Sequence, residues 1–219
     1  MSRLHDKKEL LISIGERFVD LILLNILFIV TCIPIVTVGA AITALNSVTL
    51  KMVIDKEDGH IIRAFLRSFL QNFLQASLAW LIFGVLYVVL ILDLYIFYRL
   101  PVATPVIVWI FTIVLIILVS MNMNCTLALQ ARFHNSLKQT LKNSMIISMM
   151  NLGKLLKITL ISFAPLFFLL TVSASLPAIL FLGFSGPAYL NSFTWRKVFA
   201  KYSPHENIPP CTDYVEKGD

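Results

Sequence analysis

The chain has 219 residues, 58% of them hydrophobic and only 14% charged, with a formal net charge of +6. Soluble domains run at about 45–50% apolar and about 25% charged, so too few polar side chains are present here to cover one globular core. A mean hydropathy of +0.84 and long apolar runs between short charged segments exclude an ordinary soluble domain and make lipid the outer solvent.

The basic residues lie between apolar runs rather than in one patch. Orientation in a bilayer and contact with the anionic inner leaflet explain that pattern more simply than nucleic acid does. Cys32 and Cys125 sit in apolar runs and Cys211 in the polar tail, a spacing that suits neither a disulfide framework nor a metal site. Val38-Gly39-Ala40 loosely resembles a signal-cleavage site. The preceding segment mixes acids with bases, and the apolar run continues to Ile54, so retention as an anchor is expected.

Residues 1–17 carry mixed charge with Leu10, Leu11 and Ile14 at helical spacing, the pattern of an interfacial amphipathic helix. The run from Phe18 to Ile54 is too long for one upright span of about 20 residues. Pro34 lies near its middle, removes a backbone donor and disfavours helix just before it. Two helices are expected, 18–33 and 36–54, folded as a hairpin. The second holds Thr37, Thr43, Asn46, Ser47 and Thr49, so it should face protein more than lipid.

Asp55-Lys56-Glu57-Asp58-Gly59 reads as a solvated turn. The twelfth residue from Asp55 is Leu66, not the Glu that a calcium loop needs. Beyond it Ile61, Phe65, Phe69 and Phe73 form one stripe, with Ile62, Leu66, Leu70 and Leu74 beside it. Arg63, Arg67, Gln71 and Gln75 form another, which makes an amphipathic helix running into the next span at about Phe73. Strong spans follow at 73–98 and 106–130, joined by a loop with Pro101 and Pro105. The 131–157 connector is basic, with Lys138 and Lys142, and carries an apolar stripe of Leu137, Leu141, Met145 and Met149, so a second interfacial helix is expected there. A last hydrophobic pair covers 158–175 and 177–193 around Pro177. The segment from Trp195 onward reads as polar, ending in a tail over 201–219.

The fold class is therefore all-α. It is a polytopic transmembrane bundle of five to six passes, arranged as helical hairpins with amphipathic cytoplasmic connectors, in a single domain over residues 1–200. Six passes place every Lys and Arg except Arg99 on one face, which the positive-inside rule makes cytoplasmic, with both termini. A five-pass alternative moves the N-terminus outside. Tyr95, Tyr98 and Trp109 fit an outer aromatic belt and Trp195 an inner one.

Few residues carry chemistry. Asp93 is the one acid inside the strong spans, and an ionisable group there is a candidate for proton relay or substrate contact. Pairing with Arg99, six residues on, is the plainer explanation. Asn122, Asn124 and Thr126 cluster near the inner end of their span and either line a polar path or act as interhelical hydrogen-bond glue, as does Asn25. Arg63, Arg67, Lys138 and Lys142 can meet anionic lipid or a partner protein. No G-x-x-x-x-G-K-[ST], H-E-x-x-H or G-x-S-x-G pattern occurs, so no enzyme, metal or cofactor is expected.

The stretch Leu24-Asn25-Ile26-Leu27-Phe28, the block from Pro34 to Ala41, and Val48-Thr49-Leu50-Lys51-Met52 resemble the YesL-type family of bacterial integral membrane proteins. Phe65-Leu66-Arg67-Ser68-Phe69-Leu70-Gln71-Asn72-Phe73 and Ala188-Tyr189-Leu190-Asn191-Ser192-Phe193 add to the resemblance. That family is largely uncharacterised, and its members often accompany carbohydrate ABC-transporter components. The resemblance implies a non-catalytic accessory subunit of carbohydrate uptake in a bacterial plasma membrane, contacting permease or ATPase partners. A stand-alone small-solute transporter or channel, using Asp93 and the Asn122–Thr126 cluster, is the alternative.

Overall fold

The protein is seen in a computed structural model that describes residues 2–54, 60–99, 106–133, 135–171 and 181–202, with backbone alone for 2–14. Seven α-helices occur among these residues: α1 (Ser2–Thr31), α2 (Val38–Ile54), α3 (Ile61–Arg99), α4 (Val106–Arg132), α5 (Leu137–Met150), α6 (Leu152–Thr171) and α7 (Ser185–Tyr202). None of the described residues is in a strand, and the fold is an all-α bundle. The turns expected at Asp55–Gly59 and at Pro177, the 100–105 loop and the tail beyond Tyr202 lie outside the described residues.

Among the described residues, four segments are long and apolar enough to cross a membrane: Ile35–Ile54, Ile61–Arg99, Val106–Arg132 and Leu152–Leu169. The most apolar stretch of the first is 67% buried, against 11% for the second and 22% for the third. That contrast makes α2 the inner helix of the bundle, as its polar content implies. Leu24 and Phe28 of α1 pack on Ala41, Ala44, Leu45 and Val48 of α2, with α1 folded back at Pro34. Proline cannot donate to the helix before it, so α1 ends at Thr31. A 3-10 turn over Ile35–Thr37 follows. Thr37 Oγ1 then donates to the Thr31 carbonyl at 2.6 Å and to the Pro34 carbonyl at 2.7 Å, satisfying acceptors that the helix end leaves open.

Helices packing in lipid gain little from the hydrophobic effect, since acyl chains are as apolar as Leu. Close van der Waals approach and interhelical hydrogen bonds hold them instead. The seam between α2 and α3 is built that way. Gly39 lies so near α3 that a Cβ there would run into the Ala76 carbonyl and Trp80 Cβ. Ala40, Ala76, Ala79 and Phe83 close the seam with Met123 and Leu127 of α4. The buried stripe of α3 is Ile61, Phe65, Ser68, Asn72, Ala76 and Phe83, whereas Leu70 and Leu74 point outward.

Two boundaries and one buried face differ from the sequence expectation. The amphipathic start and the first apolar run form one unbroken helix, α1, because no proline or glycine pair interrupts them. The third connector breaks at Asn151, and α6 begins at Leu152 rather than Ile158. The inward face of α5 is Thr140, Ser144, Ile147 and Ser148, while Met145 and Met149 are exposed. Small hydroxyl residues approach α4 more closely than methionines would, and the apolar stripe turns outward.

The C-terminal element is corrected most. Trp195, expected in an aromatic belt, is 1% exposed and packs with Leu50, Cys125, Ile158 and Phe199. Helix α7 continues to Tyr202, whose hydroxyl accepts from Asn151 Nδ2 at 2.7 Å. Arg196, Lys197 and Lys201 made this stretch look like a tail, yet all three sit on its exposed side. The spacing of Trp195, Val198 and Phe199 defines the buried side.

The α2–α3 seam yields a test. Gly39→Ala should lower unfolding stability in detergent by about 1–3 kcal/mol, as overpacking of a tight core does. Gly84→Ala, where a Cβ meets nothing within 4 Å, should not lower it. Thermal unfolding followed by circular dichroism measures both.

Candidate functional site: a polar bundle interior and a basic outer face

The hairpin of α3 and α4 is pinned by three cross-helix hydrogen bonds. Thr112 Oγ1 donates to Asp93 Oδ2 at 3.0 Å. Tyr87 Oη and Ser120 Oγ are 2.6 Å apart, and Gln130 Nε2 donates to Gln75 Oε1 at 2.9 Å. The outermost and innermost pairs lie the same number of residues apart on each helix, roughly 27 Å at 1.5 Å per residue. The three bonds therefore fix the register of an antiparallel pair along most of a bilayer's thickness. Asp93 finds its partner on α4, while the Arg99 guanidinium lies over the Tyr95 ring, 5.3 Å from its centroid. The expected Asp93–Arg99 pairing gives way to these contacts.

The polar cluster of α4 is dispersed by the helix. Thr126 Oγ1 donates to the Asn122 carbonyl at 2.9 Å and to Ser144 Oγ of α5 at 2.8 Å. Asn124 Nδ2 donates to the Ser120 carbonyl at 3.0 Å. Asn122 borders a cavity of about 190 Å³ with Met145, Ser148 and Met149 of α5. Asn124 borders a different one at the centre of the bundle, together with Asn46, Ser162 and Asn191. Asp93 borders neither.

Asn25 is 0% exposed and reaches across the bundle. Its Oδ1 accepts from the backbone N–H of Phe184 at 2.9 Å and of Ser185 at 3.1 Å. These donors sit where α7 starts, and a helix start leaves its first N–H groups without intrahelical partners. Pro187 in the first turn has no N–H to satisfy. Further bonds tie α7 to its neighbours: Ser192 Oγ donates to Thr49 Oγ1 of α2 at 2.9 Å, and Asn191 Nδ2 to Ser162 Oγ of α6 at 2.9 Å. No motif in the sequence announces that cap, because the partners are 159 and 160 residues apart.

Arg63, Arg67, Lys138 and Lys142 are all exposed, and none has a hydrogen-bond or ion-pair partner among the described residues. Arg63 and Arg67, one turn apart, border an open groove of about 860 Å³ between α1 and α3. Its apolar lining is Leu23, Ile62, Leu66 and Leu70. Lys138 and Lys142 stand on the outer side of α5. The two basic pairs are on separate elements, and the sequence places them by periodicity. The groove beside the first pair depends on where α1 lies, which periodicity does not reveal.

These features define a helical protein of membrane type, with a polar-bonded interior and a basic outer face. A protein-family model described as "Protein of unknown function, DUF624" matches residues 21–94, the segment from the last third of α1 through α2 and most of α3. No curated protein and no solved structure matches the chain.

The Asn25 cap carries a prediction. Asn25→Ala should cost about 1–3 kcal/mol of stability, the range for leaving buried donors unpaired. Hydrogen exchange should rise first at residues 184–188. Uniform exchange along α7, with stability unchanged, would deny the cap its role.

Proposed function

We propose that this chain is a non-catalytic accessory subunit of carbohydrate uptake of the ABC type, held in a bacterial plasma membrane with both termini in the cytoplasm. The matched family is the one to which YesL-type proteins belong. The resemblance across Pro34–Phe73 lies inside the matched residues. Six passes as three hairpins suit this orientation, since Arg99 alone among the Lys and Arg residues then falls outside.

The observation that carries the proposal is the groove between α1 and α3. Helix α3 has 39 residues, about 58 Å at 1.5 Å per residue, against about 30 Å of hydrocarbon. Its apolar core begins near Phe73, so Arg67 stands at headgroup depth and Ile62 and Arg63 stand beyond it. Ile62 and Leu66 are nonetheless exposed beside the arginines. Apolar side chains past the lipid, bordered by Arg63 and Arg67 with Asp20 of α1 also on the lining, suit the apolar face of a partner helix that brings acidic side chains to the arginines. Lys138 and Lys142 extend the same preference to a second element. Contact with anionic headgroups holds the bundle at the right depth, and the protein partner supplies specificity.

The test is recovery of partners from native membranes in mild detergent. The wild-type chain should bring down permease or ATPase components of a carbohydrate transporter. Arg63→Glu with Arg67→Glu should reduce that recovery by about tenfold or more, since reversed charge adds repulsion to the lost attraction. Recovery of the chain free of transporter components would refute the proposal. Equal recovery by the charge-reversed variant would remove the groove from it.

A further inference from the structure

The central cavity holds about 240 Å³ and is enclosed by α1, α2, α3, α4, α6 and α7. Phe28, Trp80, Phe184 and Trp195 give it aromatic walls, and Asn46, Asn124, Ser162 and Asn191 give it polar ones. No charged side chain lines it among the described residues.

Asn46 on its wall differs from most other buried amides of the bundle. Asn25, Asn72 and Asn151 hydrogen-bond to neighbouring backbone or side chains. Asn46 is 8% exposed, yet its side chain makes no hydrogen bond among the described residues. The hydroxyls of Thr43 and Thr49 on the same helix bond to their own backbone. Asn191 directs Nδ2 to the Ile158 carbonyl and Ser162 Oγ, and its buried Oδ1 has no partner. Leaving such a group unpaired away from water costs about 1–3 kcal/mol.

We infer that this cavity binds one neutral molecule that carries hydroxyl or amide groups on an apolar body. The Asn46 amide offers both a donor and an acceptor, so an occupant with a hydroxyl or amide can pair with it. A charged occupant would meet no counter-charge in a low-dielectric interior. The aromatic and aliphatic walls take the apolar body. The volume equals about eight waters at ~30 Å³ each, enough for a single ring with short substituents. Phe163 and Leu166 line the cavity from α6 and are also exposed on the outside of the bundle. This site stands independently of any partner at the α1–α3 groove.

Two of the three tryptophans border the cavity and report on it; Trp109 of α4 does not line it. In Trp109→Phe protein in lipid nanodiscs, 4-bromobenzyl alcohol should quench the remaining fluorescence saturably. The isosteric 1-bromo-4-ethylbenzene, with a methyl in place of the hydroxyl, should bind about tenfold more weakly or worse, the effect of one unpaired buried group. Asn46→Leu should abolish saturation. Asn46→Ala, which removes the amide without adding volume, should weaken it about tenfold and guards against a folding failure of the first variant. Linear quenching alike for both compounds and untouched by the Asn46 changes would mean that the cavity holds only water. Saturable quenching alike for both compounds would mean an apolar void. Either result overturns the inference.

Discussion

The close approach of α2 to α3 at Gly39 is the constraint on which the rest of the bundle depends. With no room for a Cβ between Gly39 and the Ala76 backbone, the two helices meet at their smallest side chains. Thr43, Asn46, Ser47 and Thr49 are thereby carried into the interior. Once these polar groups are inside, the surrounding helices must answer them. Ser192 of α7 does so at Thr49, and α7 is in turn capped by Asn25 of α1. Where the answer is missing, at Asn46, a cavity remains.

The bundle is polar within and apolar without, the arrangement expected when lipid replaces water. Leu, Ile and Val cover the outer sides of α3 and α4, and the hydrogen-bonding side chains point between helices. Each interhelical bond contributes modestly, about 0.6 kcal/mol on average in comparable bundles. Specificity therefore comes from many of them agreeing on one register, as the three bonds between α3 and α4 do. The same logic explains α5, where Thr140, Ser144 and Ser148 face inward and the methionines outward.

Much of this was legible in the sequence, and the failures have a common cause. The all-α class follows from composition, the break at Pro34 from the missing N–H, and the inward placement of α2 from its threonines and asparagine. The inner face of α5 and the burial of Trp195 were not legible. In both cases apolar residues were assigned by habits suited to interfaces, whereas neighbours not yet known decided which side is inner. Asp93 looked conspicuous because it is charged. Its actual partner, Thr112, is an ordinary residue on the next helix. The central cavity joins Asn46, Asn124 and Asn191 from three elements, and only one of these had stood out by position.

The central claim is that α2 is sealed from both lipid and water by the helices around it. Photolabelling from a phospholipid with a diazirine in its acyl chain, read out by mass spectrometry on the protein in bilayers, tests that most directly. The label should land on Leu74, Val85, Ile107 and Phe167, and spare residues 39–53. Label spread along α2 at a density like that of α3 would contradict the account.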